Sequence, residues 1–563
     1  MIKNKKIHFW AGDIETSGGL TGQFLLGGVY DGRKYFEFEK EADFMNFVLN
    51  LDRTIFFHLL DFDIRFVIDW CQRKGIAIKT MPVMAGEKKV IEWKINKAIF
   101  RDSFILTQES LRKLAKSFKL KTQKLEMRNY QNLRKSAKLK RYLKNDVVIL
   151  HRIMAKFYDF AGWENFQKRT IASLSLEKFK EIDKSSYNRI VEHPIYRKDE
   201  EFLRQGYFAA YYKVFNSEIK NKDKKILKID VNSYYANMMQ DNMFPWGKIL
   251  KPQKVLDIMQ LFHERKLGII QAKAIVPKKL KFGFLPIKTE RGVDYPTRGT
   301  IKGTWATPEI IFAQKLGYRF YFEKAIFFPF QDYLFRKYIN YLARIKEKSS
   351  GAKRTIAKNL MVSLYGKFAQ RRNISLFKQI EIPIPGKFYL DDNLTISEER
   401  QYIRTPYSHP EISIFTTAYA RIWMYEFCQK ISFENIYVIL NDSLILNDNL
   451  SEEFKRQWFH PDKIGKFKIV SQIEKGIVLG RGIYALKNIN GTEIIKNQGG
   501  VKEYNKLLKF NDFEKIKKDK QRFWQQYSDI KRPRTIYSYL KGKSKLKEEQ
   551  INERKIKMGL DKN

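Results

Sequence analysis

The amino-terminal hydrophobic pattern ends in two acidic positions. Residues 6–15 are largely apolar as far as residue 12, after which Asp13 and Glu15 alternate with Ile14. Because side chains alternate across a strand, both carboxylates are expected on the same side, where a metal ion could bridge them. Solvated acids at a strand end are common, so the pattern by itself also fits an exposed end without a function.

Two further segments place acids after apolar positions. The apolar run 56–60 is followed by Asp63. Residues 142–146 are expected to open a helix in which Tyr142 and Asp146, four positions apart, share one face. Together with the strand, these segments supply four carboxylates and a tyrosine. Such a set can hold two divalent ions and orient a water for phosphodiester hydrolysis.

A second pair of acids is predicted farther along the chain. Residues 225–231 have an apolar strand pattern that carries Asp230 at its end. Residues 435–446 are typical of two strands joined by a polar tip, which would present Asp442 opposite Asp230. Taken alone, the tip Asn-Asp-Ser is better explained as an ordinary turn, because these are the usual turn residues. The presence of Asp230 favours a shared site instead.

The segment between these two acids has a helical pattern. Over 352–368, Arg354, Lys358 and Tyr365 fall close to one stripe, and Lys346 precedes them across a Ser-Ser-Gly break. The stripe can meet a triphosphate and the nascent base pair, although a solvated basic face is the alternative interpretation. Nucleotidyl transfer needs carboxylates that hold metal and a cation that grips the triphosphate. The three segments together therefore favour that chemistry.

Composition narrows the class of partner. The chain has 107 Lys and Arg against 62 Asp and Glu, a formal net charge of +45 over 563 residues, and is 44% hydrophobic. A folded protein with a strongly basic surface and a polyanionic partner is expected. Cys71 and Cys428 are the only cysteines and form neither a CxxC pair nor a disulfide framework. No apolar stretch approaches the length of a transmembrane helix.

The amino-terminal acidic segments resemble the three exonuclease motifs of family B DNA polymerases that have 3′–5′ proofreading activity. The resemblance implies that four carboxylates are metal ligands: Asp13, Glu15, Asp63 and Asp146. It also implies that Tyr142 helps to place the attacking water.

Two further segments are similar to motifs of the protein-primed branch of that family. By the resemblance, Ser103 and Phe104 bind the single-stranded 3′ end, and Lys124, in the segment 124–127, assists catalysis. One position departs from the family: Leu59 replaces the Asn that usually follows the His of the second motif. The loss of that amide removes a hydrogen-bond partner for the strand being edited, which predicts weak proofreading.

The later segments resemble the polymerase motifs of the same family. The resemblance implies that metal is bound by Asp230, the backbone carbonyl of Val231 and Asp442, and that Tyr235 blocks a ribose 2′-hydroxyl. It assigns the incoming nucleotide to Lys346, Arg354, Lys358 and Tyr365. Leu440 and Asn441 stand where relatives carry an Asp and a Thr, so an inactive polymerase domain is the rival interpretation.

Other segments are similar to DNA-contacting motifs of the family. Tyr207 begins the joint between nuclease and polymerase, and Thr417 and Arg421 belong to a segment that touches template or primer. Tyr484 matches the tyrosine of a KxY motif whose lysine is absent here, and the adjacent Arg481 would substitute for it.

The resemblance is collinear over nearly the whole chain and implies an α/β multidomain fold. An RNase H-like 3′–5′ exonuclease domain is followed by a right-hand polymerase with palm, fingers, thumb and two terminal-protein-region insertions. The expected ranges are 1–185 for the exonuclease, 186–250 and 405–500 for the palm, 251–330 for the first insertion, 331–370 for the fingers, 371–404 for the second insertion and 501–563 for the thumb. The second insertion carries a hairpin signal at Pro385-Gly386.

The sequence therefore predicts a protein-primed family B DNA polymerase with a linked exonuclease and strand displacement. The implied cofactor is Mg²⁺, two ions per active site, with Mn²⁺ able to substitute. Expected partners are primer/template DNA, the displaced single strand, dNTPs and a terminal protein, and a monomer in the cytoplasm, the host's if viral, is expected. One rival is a degenerate relative that binds and trims DNA without polymerising. Another is a structural, basic DNA-coating protein.

Overall fold

The computed structural model describes most of the chain. The described ranges are 6–17, 22–85, 89–125, 136–220, 225–278, 280–290, 292–370, 373–379, 396–402, 407–480, 482–497, 508–518, 523–526, 531–533, 549–551 and 555–558.

The amino-terminal part is built on a seven-stranded sheet. Its strands lie in the spatial order Tyr35–Phe38, Phe24–Tyr30, Trp10–Thr16, Thr54–Phe57, Ala98–Asp102, Lys89–Ile95 and Val83–Ala85. The predicted acidic strand is the third of them, antiparallel to one neighbour and parallel to the other. The helices of this part are Glu41–Asn50, Asp63–Arg73, Phe104–Thr107, Leu111–Ser117 and Ala137–Ala161.

The last of these helices begins earlier than the sequence pattern predicted. Tyr142 was expected to open it, but it starts at Ala137, where the hydroxyl of Ser136 accepts a hydrogen bond from the amide of Leu139 at 3.2 Å. A serine that satisfies a free amide in this way is a strong start signal. As a result, Asp146 lies well inside the helix, where its backbone is rigid.

Short helices connect the first sheet to the second. They are Trp163–Asn165, Ile171–Ile182, Lys184–Val191, Arg197–Leu203 and Arg204–Gly206.

The second sheet has eight strands. Seven lie in the order Glu493–Asn497, Ile483–Asn488, Phe467–Gly480, Ile226–Val231, Ser443–Asn447, Ile436–Leu440 and Tyr212–Val214, and Glu218–Lys220 also pairs with Phe467–Gly480. The associated helices are Tyr234–Asp241, Pro410–Ile431, Phe433–Asn435 and Glu452–Trp458. The strand and the two-stranded tip that were predicted to carry acids are adjacent in this sheet.

The range of the first predicted insertion folds around a smaller sheet. Gly268–Ile275 lies between Thr300–Ala306 and Arg319–Phe327, antiparallel to both. The neighbouring elements are the helices Val255–His263 and Thr307–Lys315, the strand pair Ile287–Thr289 with Gly292–Asp294, and the strand pair Phe244–Trp246 with Phe330–Asp332.

Two helices, Arg336–Lys348 and Gly351–Phe368, cover the predicted nucleotide-binding range and share a hydrophobic core with the helix Ala137–Ala161. The second helix begins at a glycine with φ 62°, and a Cβ there would lie 1.9 Å from the carbonyl oxygen of Ser117. Only glycine fits both this backbone angle and this close approach. The nuclease part therefore fixes where the helix starts.

The remaining described elements form strand pairs and one helix. Asn373–Gln379 pairs antiparallel with Ile396–Tyr402, as the hairpin signal predicted, while its predicted tip, Pro385-Gly386, lies outside the described residues. Near the carboxyl end are the helix Phe510–Lys518 and the strand pairs Phe523–Gln526 with Lys555–Met558 and Lys531–Pro533 with Glu549–Ile551. None of the described helices combines the length and apolar character needed to cross a membrane.

Candidate active sites

Backbone pairing in the second sheet brings Asp230 and Asp442 together. Asp230 ends its strand opposite Ser443, and the amide of Val231 donates to the carbonyl of Asp442 at 2.9 Å. Leu440 pairs with Ser443, so Asn441 and Asp442 form a two-residue turn in which Asn441 has φ 63°. Asparagine tolerates this left-handed conformation better than a β-branched residue does. The predicted proximity of the two acids is confirmed.

Charged side chains surround Asp230 and Asp442 and affect the two carboxylates differently. Burial, followed by repulsion from Asp230, raises the pKa of Asp442. The ammonium group of Lys468 lies 2.9 Å from Oδ2 of Asp230. Burial lowers the pKa of Lys228, which faces both acids. Carboxylates that repel one another fit divalent cations, so the donor type suits a metal site at this edge of the sheet.

Two tyrosines form an aromatic wall beside the acids. The rings of Tyr235 and Tyr365 are 4.5 Å apart, and their helices, Tyr234–Asp241 and Gly351–Phe368, come from different parts of the chain. Burial raises the pKa of Tyr365 to about 12 and raises that of Tyr235 as well. Both hydroxyls are therefore protonated at neutral pH and available as donors.

The predicted phosphate-binding cations are not equivalent. Lys358 is exposed. Lys346 is buried and donates to the carbonyl of Asp462 at 2.8 Å, and burial lowers its pKa to about 8. Arg354 forms an ion pair with the Asp462 carboxylate and donates to the carbonyl of Lys346 at 2.9 Å. A loop of the second sheet thus engages Lys346 and Arg354, and the assignment of these cations to the incoming nucleotide stays a prediction.

Four carboxylates lie near one another beside the first sheet, two on a strand and two on helices. Asp13 and Glu15 are on the strand Trp10–Thr16. Asp63 is the first residue of a helix, and its carboxylate accepts a hydrogen bond from the amide of Ile14 at 3.0 Å. Burial and then repulsion from Asp146 raise the pKa of Asp13 to about 7. Burial and then repulsion from Asp13 raise the pKa of Glu15 to about 9. The pKa values of Asp63 and Asp146 are also raised, first of all by burial.

One oxygen of this cluster has no hydrogen-bond partner among the described residues. Oδ1 of Asp146 is buried and accepts no hydrogen bond from them, whereas Oδ2 forms an ion pair with the ammonium group of Lys124. Tyr142 also donates to Asp146, and Lys124 lies 4.9 Å from the centre of the Tyr142 ring. A buried carboxylate oxygen without a donor is costly, and a cation would satisfy it. Hard oxygen ligands of this kind suit Mg²⁺.

The cluster is not yet a closed metal cage. Among the described residues, no three His, Cys, Asp or Glu side chains already converge in ligand geometry.

Comparison with known proteins identifies the family. A family model described as DNA polymerase type B, organellar and viral, matches residues 45–139 and 126–434, together more than half of the chain. The chain belongs to this family. It is a DNA-directed DNA polymerase with a linked exonuclease, and the predicted resemblance to protein-primed family B enzymes is confirmed. Family B polymerases generally use divalent metal ions.

Individual relatives agree with this assignment. The polymerase is 24% identical to a DNA polymerase of Bacillus phage phi29 over 496 residues, which cover 80% of this chain and 81% of the relative. It is 26% identical over 323 residues to a probable DNA polymerase of Ascobolus immersus, with 53% and 25% of the two chains covered.

Solved structures support the fold. Phi29 DNA polymerase in complex with primer-template DNA and incoming nucleotide superposes with a TM-score of 0.74 at 19% identity, covering 94% of this chain and 96% of that one. The same polymerase with single-stranded DNA gives 0.70 at 20% identity, covering 93% and 97%. The predicted fold class, an exonuclease domain followed by palm, fingers and thumb, is confirmed.

The position of the altered exonuclease residue is strained in this polymerase. Leu59 has φ 69°, is 47% exposed, and donates its amide to the Asp102 carboxylate at 3.1 Å. A leucine at positive φ is uncommon, whereas asparagine is enriched there. Its neighbour His58 contacts the Ser103 hydroxyl at 2.9 Å, and burial lowers the pKa of His58 to about 4.

Several residues predicted to contact DNA are buried in the polymerase. Ser103, Thr417, Arg421 and Tyr484 are all nearly inaccessible, and their contact with DNA stays a prediction. The Ser103 hydroxyl forms a hydrogen bond with the His58 ring. The Thr417 hydroxyl donates to the carbonyl of Ile414 at 3.1 Å, and the Tyr484 hydroxyl accepts a long hydrogen bond of 3.4 Å from Lys228. Phe104 and Tyr207 are half-buried and remain candidates for DNA contact. Arg481 lies outside the described residues.

Arg421 makes buried contacts with separate parts of the chain. Its guanidinium forms a fully buried ion pair with Glu309 at 2.8 Å and donates to the carbonyls of Phe208 and Ala209. It therefore joins the helix Pro410–Ile431 to the first insertion and to the segment that begins at Tyr207.

Four residues at these sites were missed by sequence reasoning: Asp102, Glu309, Asp462 and Lys468. Only Asp102 carries a usable local signal, since it ends an apolar strand directly before Ser103. The other three are recognisable only from long-range contacts.

Proposed function

We propose that this polymerase copies a linear genome by protein priming, displaces the non-template strand and edits its product with a 3′–5′ exonuclease. The observation that carries the proposal is the pairing of Asp230 with the Asp442 turn, in a chain that holds a separate four-carboxylate cluster beside the first sheet. Two carboxylate sites in one protein suit two phosphoryl-transfer reactions of opposite direction.

In the synthetic site, Asp230 and Asp442 would hold two Mg²⁺ ions, with the carbonyl of Val231 as a further ligand; Mn²⁺ could replace them. The ions would neutralise charge on the phosphates and activate the primer hydroxyl. The chain's own residues do the rest. Lys358, which is exposed, would bind the triphosphate, and the adjacent rings of Tyr235 and Tyr365 would restrict the space for the sugar and base.

In the editing site, two Mg²⁺ ions would lie among Asp13, Glu15, Asp63 and Asp146. Tyr142 and Lys124, both in contact with Asp146, would orient the attacking water and balance charge. Bound metal would lower the pKa of the attacking water.

The partners follow from charge and from the relatives. A net charge of +45 favours primer/template DNA, a displaced single strand and dNTPs as ligands. A terminal protein would supply the first hydroxyl, docking on the two insertions at 251–330 and 371–404. We further propose the domain ranges 1–185, 186–250, 331–370, 405–500 and 501–563 as set out above, a monomeric state, and action in the host cytoplasm if the genome is viral.

One observation favours a degenerate relative that trims DNA without polymerising. Leu440, where the family carries an acid, packs against the hydrophobic cluster of Val438 and Tyr484, so this position adds no carboxylate to Asp230 and Asp442. Primer extension with four dNTPs and Mg²⁺, run beside a labelled oligonucleotide without dNTPs, separates the candidates. Extension and 3′ shortening support the polymerase. Shortening alone supports the degenerate relative, and neither reaction supports a DNA-coating protein.

Replacing Leu59 with asparagine is expected to speed the exonuclease. The amide would offer the frayed 3′ end a hydrogen bond of about 0.5–1.5 kcal/mol, which corresponds to a roughly two- to tenfold higher rate. Since asparagine also tolerates the observed φ of 69°, the melting temperature is expected to rise or stay constant. Single-turnover digestion of a labelled oligonucleotide measures the rate.

Leu59→Gly is the matched control, because it relieves the backbone without adding an amide. A rate increase in the glycine variant equal to that in the asparagine variant would show that backbone strain, and not the missing hydrogen bond, limits the reaction.

Removal of the second insertion is expected to abolish strand displacement but spare short fill-in synthesis. Asn373 and Tyr402 are cross-strand partners, so an Asn-Gly turn can replace everything between them. The acids and Lys358 lie outside that range. Displacement through a paired strand should fall sharply, and product length per binding event should shrink because dissociation is faster. Gap filling on an open template is the internal control; equal synthesis through duplex by the deletion variant would contradict the assignment.

A further inference from the structure

The strand pairing of the second sheet sets a lysine directly against a predicted metal-binding carboxylate. Lys468 and Asp230 are cross-strand partners, one on Phe467–Gly480 and the other on Ile226–Val231. The Lys468 ammonium lies 2.9 Å from Oδ2 of Asp230, and the two side chains are 35% and 26% exposed. The register of the sheet fixes this contact, so it does not depend on a flexible loop.

The surroundings add to the positive charge. Lys228 lies two residues before Asp230 on the same strand and therefore on the same face, and it faces both Asp230 and Asp442. Asp442 faces Lys468 and Lys496 as well as Asp230. Three ammonium groups thus lie close enough to the two carboxylates to interact with them electrostatically. In the exonuclease cluster the proportion is reversed, with four carboxylates and Lys124.

We propose that Lys468 is a positioning residue that holds Asp230 in the metal-free polymerase and competes with a divalent cation for that carboxylate. The inference rests on the proposed synthetic function of Asp230 and Asp442. An oxygen of Asp230 that accepts the ammonium group cannot ligate a metal ion at the same time, so loading of the site requires the lysine side chain to move away.

The displaced ammonium regains a partner when a phosphate arrives. A lysine side chain has four rotatable bonds, so Lys468 can leave Asp230 and remain close to the triphosphate or the primer phosphate. Metal loading is then weak in the free enzyme and strengthened by nucleotide. Lys468 would couple the two binding events without contributing a ligand itself.

The test is the binding of Mn²⁺ to the full-length protein, followed by electron paramagnetic resonance without DNA. The Asp13→Ala/Glu15→Ala background removes the competing exonuclease cluster. Lys468→Met, which keeps the apolar stem but removes the charge, is expected to bind Mn²⁺ about fivefold more tightly than the background protein, the upper end for a partly exposed ion pair. Lys468→Arg keeps the charge and is expected to restore the weaker affinity.

Lys475→Met is the matched control. Lys475 lies on the same strand, is also 35% exposed, and forms an ion pair of the same 2.9 Å length, but with Glu514. Its replacement is expected to leave Mn²⁺ affinity unchanged. A second readout is the effect of added dNTP, which should tighten Mn²⁺ binding more in the background protein than in Lys468→Met.

An unchanged or weaker Mn²⁺ affinity in Lys468→Met would overturn the inference, as would an equal gain in Lys475→Met. If the wild-type protein extends primers in either case, the proposed function stands and only the role of Lys468 fails. If the wild-type protein does not extend primers and the Asp13→Ala/Glu15→Ala background protein does not bind Mn²⁺, the proposed function fails together with the inference.

Discussion

Asp442→Asn is expected to abolish primer extension while single-stranded DNA is still shortened from its 3′ end. The amide keeps the two-residue turn but removes the negative charge that a metal ion needs. A metal ion contributes several kcal/mol of transition-state stabilisation, so the loss is expected to be at least about a thousandfold. Asp230→Asn should have the same effect, because both carboxylates serve one site. Extension of a labelled primer and digestion of the same oligonucleotide without dNTPs measure the two activities.

Asp448→Asn is the control for this experiment. Asp448 follows the same strand at its opposite end and binds Lys455 at 3.1 Å, so its replacement removes a carboxylate from the same hairpin but away from the turn. It should extend primers normally. If Asp442→Asn lost both extension and digestion, the assignment of the two reactions to two separate carboxylate sites would be wrong.

Local patterns predicted much of the fold. The predicted strand 225–231 is observed as Ile226–Val231, and the predicted helix 352–368 as Gly351–Phe368, because hydrophobic periodicity and a glycine break act within a few residues. The turn at Asp442 was predictable for the same reason. These elements carry the two acids, which is why the proximity of Asp230 and Asp442 could be expected before any contact was known.

Long-range contacts explain what could not be predicted. Arg421 has the appearance of a DNA-binding arginine, but Glu309, more than a hundred residues away, neutralises it inside the core. Lys346 and Arg354 have the spacing of a phosphate-binding stripe, yet Asp462 from another part of the chain engages both. No periodicity encodes the sheet register that sets Lys468 against Asp230. A charged residue can be buried only with a partner, and that partner cannot be inferred from the neighbouring sequence.

The backbone conformation of Leu59 is another feature that the sequence alone did not predict. The sequence predicted a missing hydrogen bond at this position, and the structure adds a backbone in the left-handed region held by the Asp102 carboxylate. Both features point to asparagine as the residue that this backbone accommodates best. The chain therefore combines, at Leu59, a residue type and a backbone conformation that disfavour each other, a kind of conflict that proteins tolerate mainly at functional sites.

Asp13→Ala/Glu15→Ala is expected to abolish 3′ shortening of single-stranded DNA and leave primer extension in place. The two carboxylates lie on one strand, and their loss leaves Asp63 and Asp146 without the charge needed to hold two ions. The expected decrease is again at least about a thousandfold. Glu41→Ala/Asp43→Ala, with the same spacing on the helix Glu41–Asn50, should digest DNA normally. Digestion that persists in the Asp13→Ala/Glu15→Ala variant would exclude this cluster as the nuclease centre.

The same variant is expected to alter how stability depends on pH. In the metal-free fold the pKa of Asp13 is raised to about 7 and that of Glu15 to about 9, so both carboxyls bind protons more tightly in the folded state than in the unfolded chain. Their favourable contribution is complete below about pH 4 and is lost as the pH rises through about 9. In EDTA, the wild-type melting temperature should therefore fall from pH 5 to pH 9, by roughly 2–4 °C for each 1 kcal/mol lost from the free energy of unfolding in a domain of this size.

The alanine variant should show a flatter dependence of melting temperature on pH. Mn²⁺ should raise the wild-type melting temperature most at high pH, where the ionised carboxylates repel one another. Equal slopes in the two proteins would mean that these carboxyls do not titrate as a buried, mutually repelling pair.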